Sequence, residues 1–94
     1  MNDNNIVVYD NGEIELKVEI KDENMWLTQK QIAELFDVKI PAISKHIKNI
    51  FTQNELNEFS TISKMETVQK EGNRNITRTL EFYNLDMIIS IGYR

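Results

Sequence analysis

The sequence predicts an α+β fold in which two short helices lie between two β-hairpins and a further helix closes the chain. Three observations carry that reading. Residues 13–20 alternate strictly between polar and apolar, residues 26–51 hold two segments with apolar positions at helical spacing, and residues 60–83 are β-favouring around a Gly-Asn pair. Ninety-four residues suffice for one small domain and not for two, so residues 1–94 are read as a single unit.

The N-terminal hairpin is assigned to residues 1–24. Ile6-Val-Val-Tyr9 is a short apolar run that ends at Asp10-Asn-Gly12, a strong turn signal. From Glu13 to Ile20, Ile14, Leu16, Val18 and Ile20 share one face, and Glu13, Glu15, Lys17 and Glu19 share the other. That is a half-buried strand, and the glutamates read as a solvated face rather than an acid/base cluster. Lys21-Asp-Glu-Asn24 forms a polar turn. Met25-Trp-Leu27 is a third extended piece, with Trp26 expected as a buried anchor between sheet and helix rather than a stacking platform.

Residues 25–52 carry the helix pair. Thr28-Gln-Lys-Gln31 has capping-box spacing, and Leu27 can staple onto Ile32. Ile32, Leu35 and Phe36 then fall on one side with Ala33 beside them, while Lys30 and Glu34 point away. In the second helix, assigned to 40–51, Ile43, Ile47 and Ile50 form the inward stripe; Lys45, Lys48 and Thr52 lie opposite, flanked by Ser44 and Asn49. Pro41 suits the first helical position, which makes Ile40 the expected cap and Asp37-Val38-Lys39 the turn. Two such helices joined by three or four residues have the sequence form of a helix-turn-helix, with the second as the reading helix. Asp37 stands where Gly is usual in that turn, and Asp tolerates the left-handed conformation better than most residues.

Thr52 to Phe59 is polar and turn-rich, with Leu56 and Phe59 expected to tether it to the core. Residues 60–83 read as a second hairpin, from Ser60 to Val68 and from Ile76 to Tyr83, turning through Gln69 to Arg74. Its tip is basic. A hairpin of that kind after a helix-turn-helix is similar to the wing of a winged helix, so the full expectation is a winged helix-turn-helix with an N-terminal β-hairpin, a central helix pair, a β-hairpin wing and a C-terminal helix. Asn84 caps that last helix, residues 84–94, with Asp86 in its first turn and Leu85, Ile88 and Ile89 apolar. Ending at Ile91-Gly-Tyr-Arg94 without a polar tail, the chain is expected to be a fragment of a longer polypeptide.

Composition narrows the function classes. With no Cys, disulfides, thiolate metal sites and cysteine nucleophiles are excluded, and one His leaves no metal ligand set. No cofactor and no small-molecule ligand is evident. No nucleophile with a base, no carboxylate pair in an apolar setting and no phosphate-cradling glycine loop appears, so an enzyme is not expected. No run approaches a membrane span and the N-terminus lacks a basic leader, which points to a cytoplasmic protein. The net charge of −4 at first opposes a nucleic-acid partner. Its distribution reverses that: residues 1–26 hold seven acids against two lysines, whereas residues 39–53 hold three lysines and no acid.

Met25-Trp-Leu-Thr-Gln-Lys-Gln-Ile-Ala-Glu-Leu-Phe36, Ile43-Ser-Lys-His-Ile-Lys-Asn-Ile50 and Phe82-Tyr-Asn-Leu-Asp-Met-Ile-Ile-Ser-Ile-Gly-Tyr-Arg94 together resemble the N-terminal part of the RhuM-like virulence proteins, bacterial proteins often found on mobile elements. The resemblance spans residues 25–94. It implies a DNA-binding N-terminal domain followed by a longer C-terminal region. Ile40 and Pro41, with Asp37, depart from the small, basic or glycine residues usual there.

The expected partner is therefore double-stranded DNA, as for a regulatory or mobile-element protein acting on transcription. The second helix would enter the major groove, with Ile40 and Ala42 on thymine methyls and Ser44 and Lys45 at base edges. Lys39, Lys48, Lys70, Asn73, Arg74 and Arg78 would face the backbone, and Gln29 would add a contact from the first helix. A homodimer is compatible with half-site reading. The alternative is a protein-interaction or oligomerisation module that uses the same fold without DNA, since lysines also line ordinary solvated helix faces. His46, at the edge of the apolar stripe, reads as structural.

Overall fold

The computed structural model describes residues 5–93. In chain order the elements are β1 (Asn5–Asp10), β2 (Glu15–Lys21), β3 (Asn24–Leu27), α1 (Gln29–Phe36), α2 (Ile40–Thr52), α3 (Glu58–Thr61), β4 (Ile62–Glu71), β5 (Arg74–Asn84) and α4 (Leu85–Gly92). All strands join one antiparallel sheet in the order β1-β2-β3-β5-β4. The mixed α+β class follows, with the helices packed on one face of the sheet.

Local chemistry explains most element ends. At α1, Thr28 Oγ1 accepts from Gln31 N at 3.2 Å and Gln31 Oε1 accepts from Thr28 N at 3.0 Å, the reciprocal capping box. At its other end Asp37 is left-handed (φ 56°, ψ 49°), and Val38 N donates to Ala33 O at 3.0 Å, which satisfies carbonyls the helix would otherwise strand. Asn54 repeats this device after α2 (φ 56°), with Glu55 N donating to Ile50 O at 3.0 Å. The α2 start differs by one residue from expectation. Lys39, not Ile40, is the extended cap (φ −85°, ψ 152°), and its carbonyl accepts from Ala42 and Ile43, so Ile40 is the first helical residue and Pro41 the second. Pro41 still fits, because the first four N–H groups of a helix have no intrahelical partner.

The core lies between the helices and the sheet. Leu16 and Val18 of β2, Leu27 of β3, Ile32 and Ala33 of α1, the Ile43, Ile47 and Ile50 stripe of α2, Tyr83, and Met87, Ile88 and Ile91 of α4 form one buried cluster. Trp26 is buried and its Nε1 donates to Lys21 O at 3.0 Å, so it is an anchor as expected. Its place differs: alternation from Leu27 puts it on the sheet face away from the helices, the face shared by Phe82. There Lys21 Nζ donates to Ser63 Oγ at 3.1 Å.

Two further expectations are corrected. Phe59 tethers nothing and is 98% exposed. Asn57 caps the short α3 instead, and because Thr61 turns inward with its hydroxyl on Asn57 O, Phe59 two positions earlier falls on the opposite side. The second hairpin begins at Ile62 rather than Ser60, and its turn is only Gly72-Asn73, so Gln69, Lys70, Glu71 and Arg74 belong to the ladder. Gly72 (φ 65°) takes the left-handed first turn position that the two-residue loop requires. In α4 the inward residues are Met87, Ile88 and Ile91, while Ile89 is exposed and Leu85 half-buried. Asn84 does cap α4, accepting from Met87 N at 3.1 Å, and its amide donates to Ser60 O at 2.9 Å, which satisfies a buried polar side chain at both ends. Among the described residues no helix is long and apolar enough to cross a membrane.

Candidate nucleic-acid interface

Burying Ile43, Ile47 and Ile50 turns the other side of α2 outward. Pro41, Ser44, Lys45, Lys48 and Thr52 are exposed on it, Ile40 is exposed at its start, Ala42 and His46 are half-buried, and Lys39 is exposed at the cap. None of Lys39, Lys45 and Lys48 has an ion pair among the described residues. Among the described residues, no acid compensates their charge by contact. α2 has no acid in its first turn and no side-chain cap, so its leading N–H groups and dipole favour negative charge there.

Ser44 is not independent. Its hydroxyl donates to Gln29 Oε1 at 2.6 Å, Gln29 Nε2 donates to the Tyr83 hydroxyl at 3.1 Å, and that hydroxyl donates to Glu81 Oε1 at 3.2 Å. Gln29, expected as a backbone contact, thus spends both ends of its amide inside the domain. Burial pushes the Tyr83 phenol above its usual value; the Gln29 hydrogen bond opposes that and the Glu81 carboxylate adds to it. Tyr83 and Glu81 were absent from the sequence-derived site. Their only sequence signal is that both occupy the same face of a strand, two residues apart.

On the long hairpin, Lys70, Asn73 and Arg74 are exposed at or next to the tip, as expected. Arg78 is different. Its Nε and Nη2 bind both oxygens of Glu71 at 2.8 and 3.0 Å, so its charge is compensated within the hairpin; the pair is solvent-exposed and of small energetic weight. Between the two hairpins, where β3 ends and α1 begins, opens a cleft of about 880 Å³. Glu19, Glu34, Glu66 and Glu81 line it against Lys17 and Lys30, an unfavourable lining for phosphate. Among the described residues no group of three or more His, Asp or Glu can hold a metal ion.

A family model described as Virulence protein RhuM family matches residues 60–94, the stretch from α3 through β4 and β5 to α4. The chain is similar to that family over this part, which includes the hairpin and its basic tip and leaves α1 and α2 outside the match. No curated protein and no solved structure matches the chain significantly.

Proposed function

We propose that the domain binds double-stranded DNA as a winged helix-turn-helix, with α2 in the major groove and the β4–β5 tip on the phosphate backbone. The observation that carries the reading is the outward side of α2 and its cap: three exposed lysines, no acid and, among the described residues, no ion pair. Two features support it. The strand that leads into the helix pair, β3, lies beside β5, so helix pair and hairpin are held by one short sheet. The hairpin carries Lys70 and Arg74 at its end, a second cationic point for the backbone. On this reading the domain is a binding module rather than a catalyst.

The test is duplex binding at low salt. Affinity is expected to fall steeply with salt, with a log–log slope reduced by about 1 or more when Lys45 and Lys48 are both changed to Glu, since each phosphate contact contributes about 0.9 to the slope and Lys48 is placed on the backbone. An unchanged affinity and slope in that variant would remove α2 from the interface.

One observation favours a second reading, self-association. β1 is an edge strand whose Ile6, Val7, Val8 and Tyr9 are each 42–54% exposed, and no lysine, proline or charge interrupts them. Antiparallel pairing of β1 with β1 of a second copy, centred on Val7, would oppose Ile6 to Val8 and keep Asp10 beyond the apolar run. The chain has no Cys, so Val7→Cys makes a clean probe. Oxidation is expected to give a covalent dimer, and a monomer at every concentration would reject the pairing.

A further inference from the structure

The chain of side chains from α2 to β5 has a direction, and one group sets it. A carboxylate only accepts, so the Tyr83 hydroxyl bound to Glu81 must be the donor at 3.2 Å. That hydroxyl has a single hydrogen, so toward Gln29 it can only accept, and Gln29 must present Nε2 to it at 3.1 Å. The amide is thereby oriented with Oε1 toward α2. An amide oxygen only accepts, so the Ser44 hydroxyl spends its hydrogen on Gln29 at 2.6 Å. Each link leaves the next without choice.

An unconstrained serine can donate or accept and reads base edges ambiguously. Ser44 cannot: only its lone pairs face outward. We infer that Ser44 is a specificity-determining residue that reads the major groove as an acceptor, selecting a base with an exocyclic amine, adenine N6 or cytosine N4. Glu81, on the hairpin strand, is the positioning residue that sets this polarity through Tyr83 and Gln29. Guanine O6 and thymine O4 are acceptors, so both meet an acceptor and are disfavoured. The inference rests on the reading of α2 as the groove-entering helix and adds what one position on it recognises.

The experiment is selection from a duplex library with a randomised core, followed by affinity measurements with each of the four bases at the selected position. Wild type is expected to prefer adenine or cytosine over guanine and thymine by about fivefold, the worth of one neutral hydrogen bond. Ser44→Ala is expected to equalise the four bases. Glu81→Gln, whose amide can donate to Tyr83 and let the chain run either way, is expected to admit guanine and thymine while affinity for the best duplex stays within about twofold. In the Ser44→Ala background, Glu81→Gln is expected to leave the ranking of the four bases unchanged, which a general structural effect of residue 81 on base choice would not reproduce. A preference that survives Ser44→Ala, or a Glu81→Gln effect on base preference that persists without Ser44, overturns the inference. Duplex binding with no adenine or cytosine preference overturns it and leaves the DNA-binding reading standing, whereas no duplex binding at low salt overturns both.

Discussion

The Tyr83 hydroxyl is held between an amide and a carboxylate on a side chain only 3% exposed, and that environment has a consequence for alkaline stability. Burial is the largest cause of its raised pKa, so the folded domain prefers the neutral phenol. In the unfolded chain the phenol ionises first, near its ordinary value of 10.0, and in the folded state only later. The contribution is therefore complete below that value and is lost as pH rises through the raised folded one. Urea melts across that range are expected to show stability falling with pH in wild type and falling less in Tyr83→Phe, which at neutral pH costs about 1 kcal/mol for the lost hydrogen bonds. Parallel curves for the two proteins would remove Tyr83 from the alkaline limb. Asp37 offers a second residue-level check. Gly has no Cβ penalty in the left-handed conformation, so Asp37→Gly is expected to raise stability by about 0.5–1 kcal/mol in the same melts. Asp37 was legible in the sequence because its constraint is local. Tyr83 and Glu81 were not, because their role comes from Gln29, 54 residues before Tyr83, and no spacing rule reaches that far.

Elements were legible to the degree that short-range chemistry decides them. The α1 capping box, the α2 isoleucine stripe and the Asn84 cap each depend on residues three or four apart, and they stand as read. The sequence marks apolar residues of α4 without choosing its inward face; packing against α2 and β3 makes the choice and buries Met87, Ile88 and Ile91. The Lys21–Asn24 turn is tighter than its composition suggested. Asp22 and Glu23 are both left-handed (φ 54° and 58°) between the paired Lys21 and Asn24, the geometry that favours Asn-Gly. Asp22→Asn with Glu23→Gly is expected to raise stability by about 1 kcal/mol, or roughly 4–8 °C in the melting midpoint of a domain this size. A lower midpoint would mean that the two acids hold the turn through contacts rather than endure it.

At the scale of the molecule, an acidic protein presents a basic helix, and range decides whether the acids interfere. The net charge is −4, with much of the acidity in the N-terminal hairpin. Exposed charges separated by more than about 8 Å are largely screened at about 0.15 M salt, whereas at about 0.01 M they act over roughly 30 Å. Glu13 and Glu15 are exposed at the turn end of the first hairpin, on elements other than α2, and neither has an ion pair among the described residues. Changing both to Gln is therefore expected to strengthen duplex binding at low salt, mainly through faster association, and to strengthen it less at about 0.15 M. Lys45→Glu with Lys48→Glu is expected to weaken binding most at about 0.01 M and to lower the log–log salt slope, because each cation placed on a phosphate releases counterions on binding. Measured at two salt concentrations, the pair of variants separates screened repulsion from counterion-releasing contact. An unchanged salt slope in the lysine variant would mean that the lysines of α2 touch no phosphate, and that the groove-facing surface lies elsewhere on the domain.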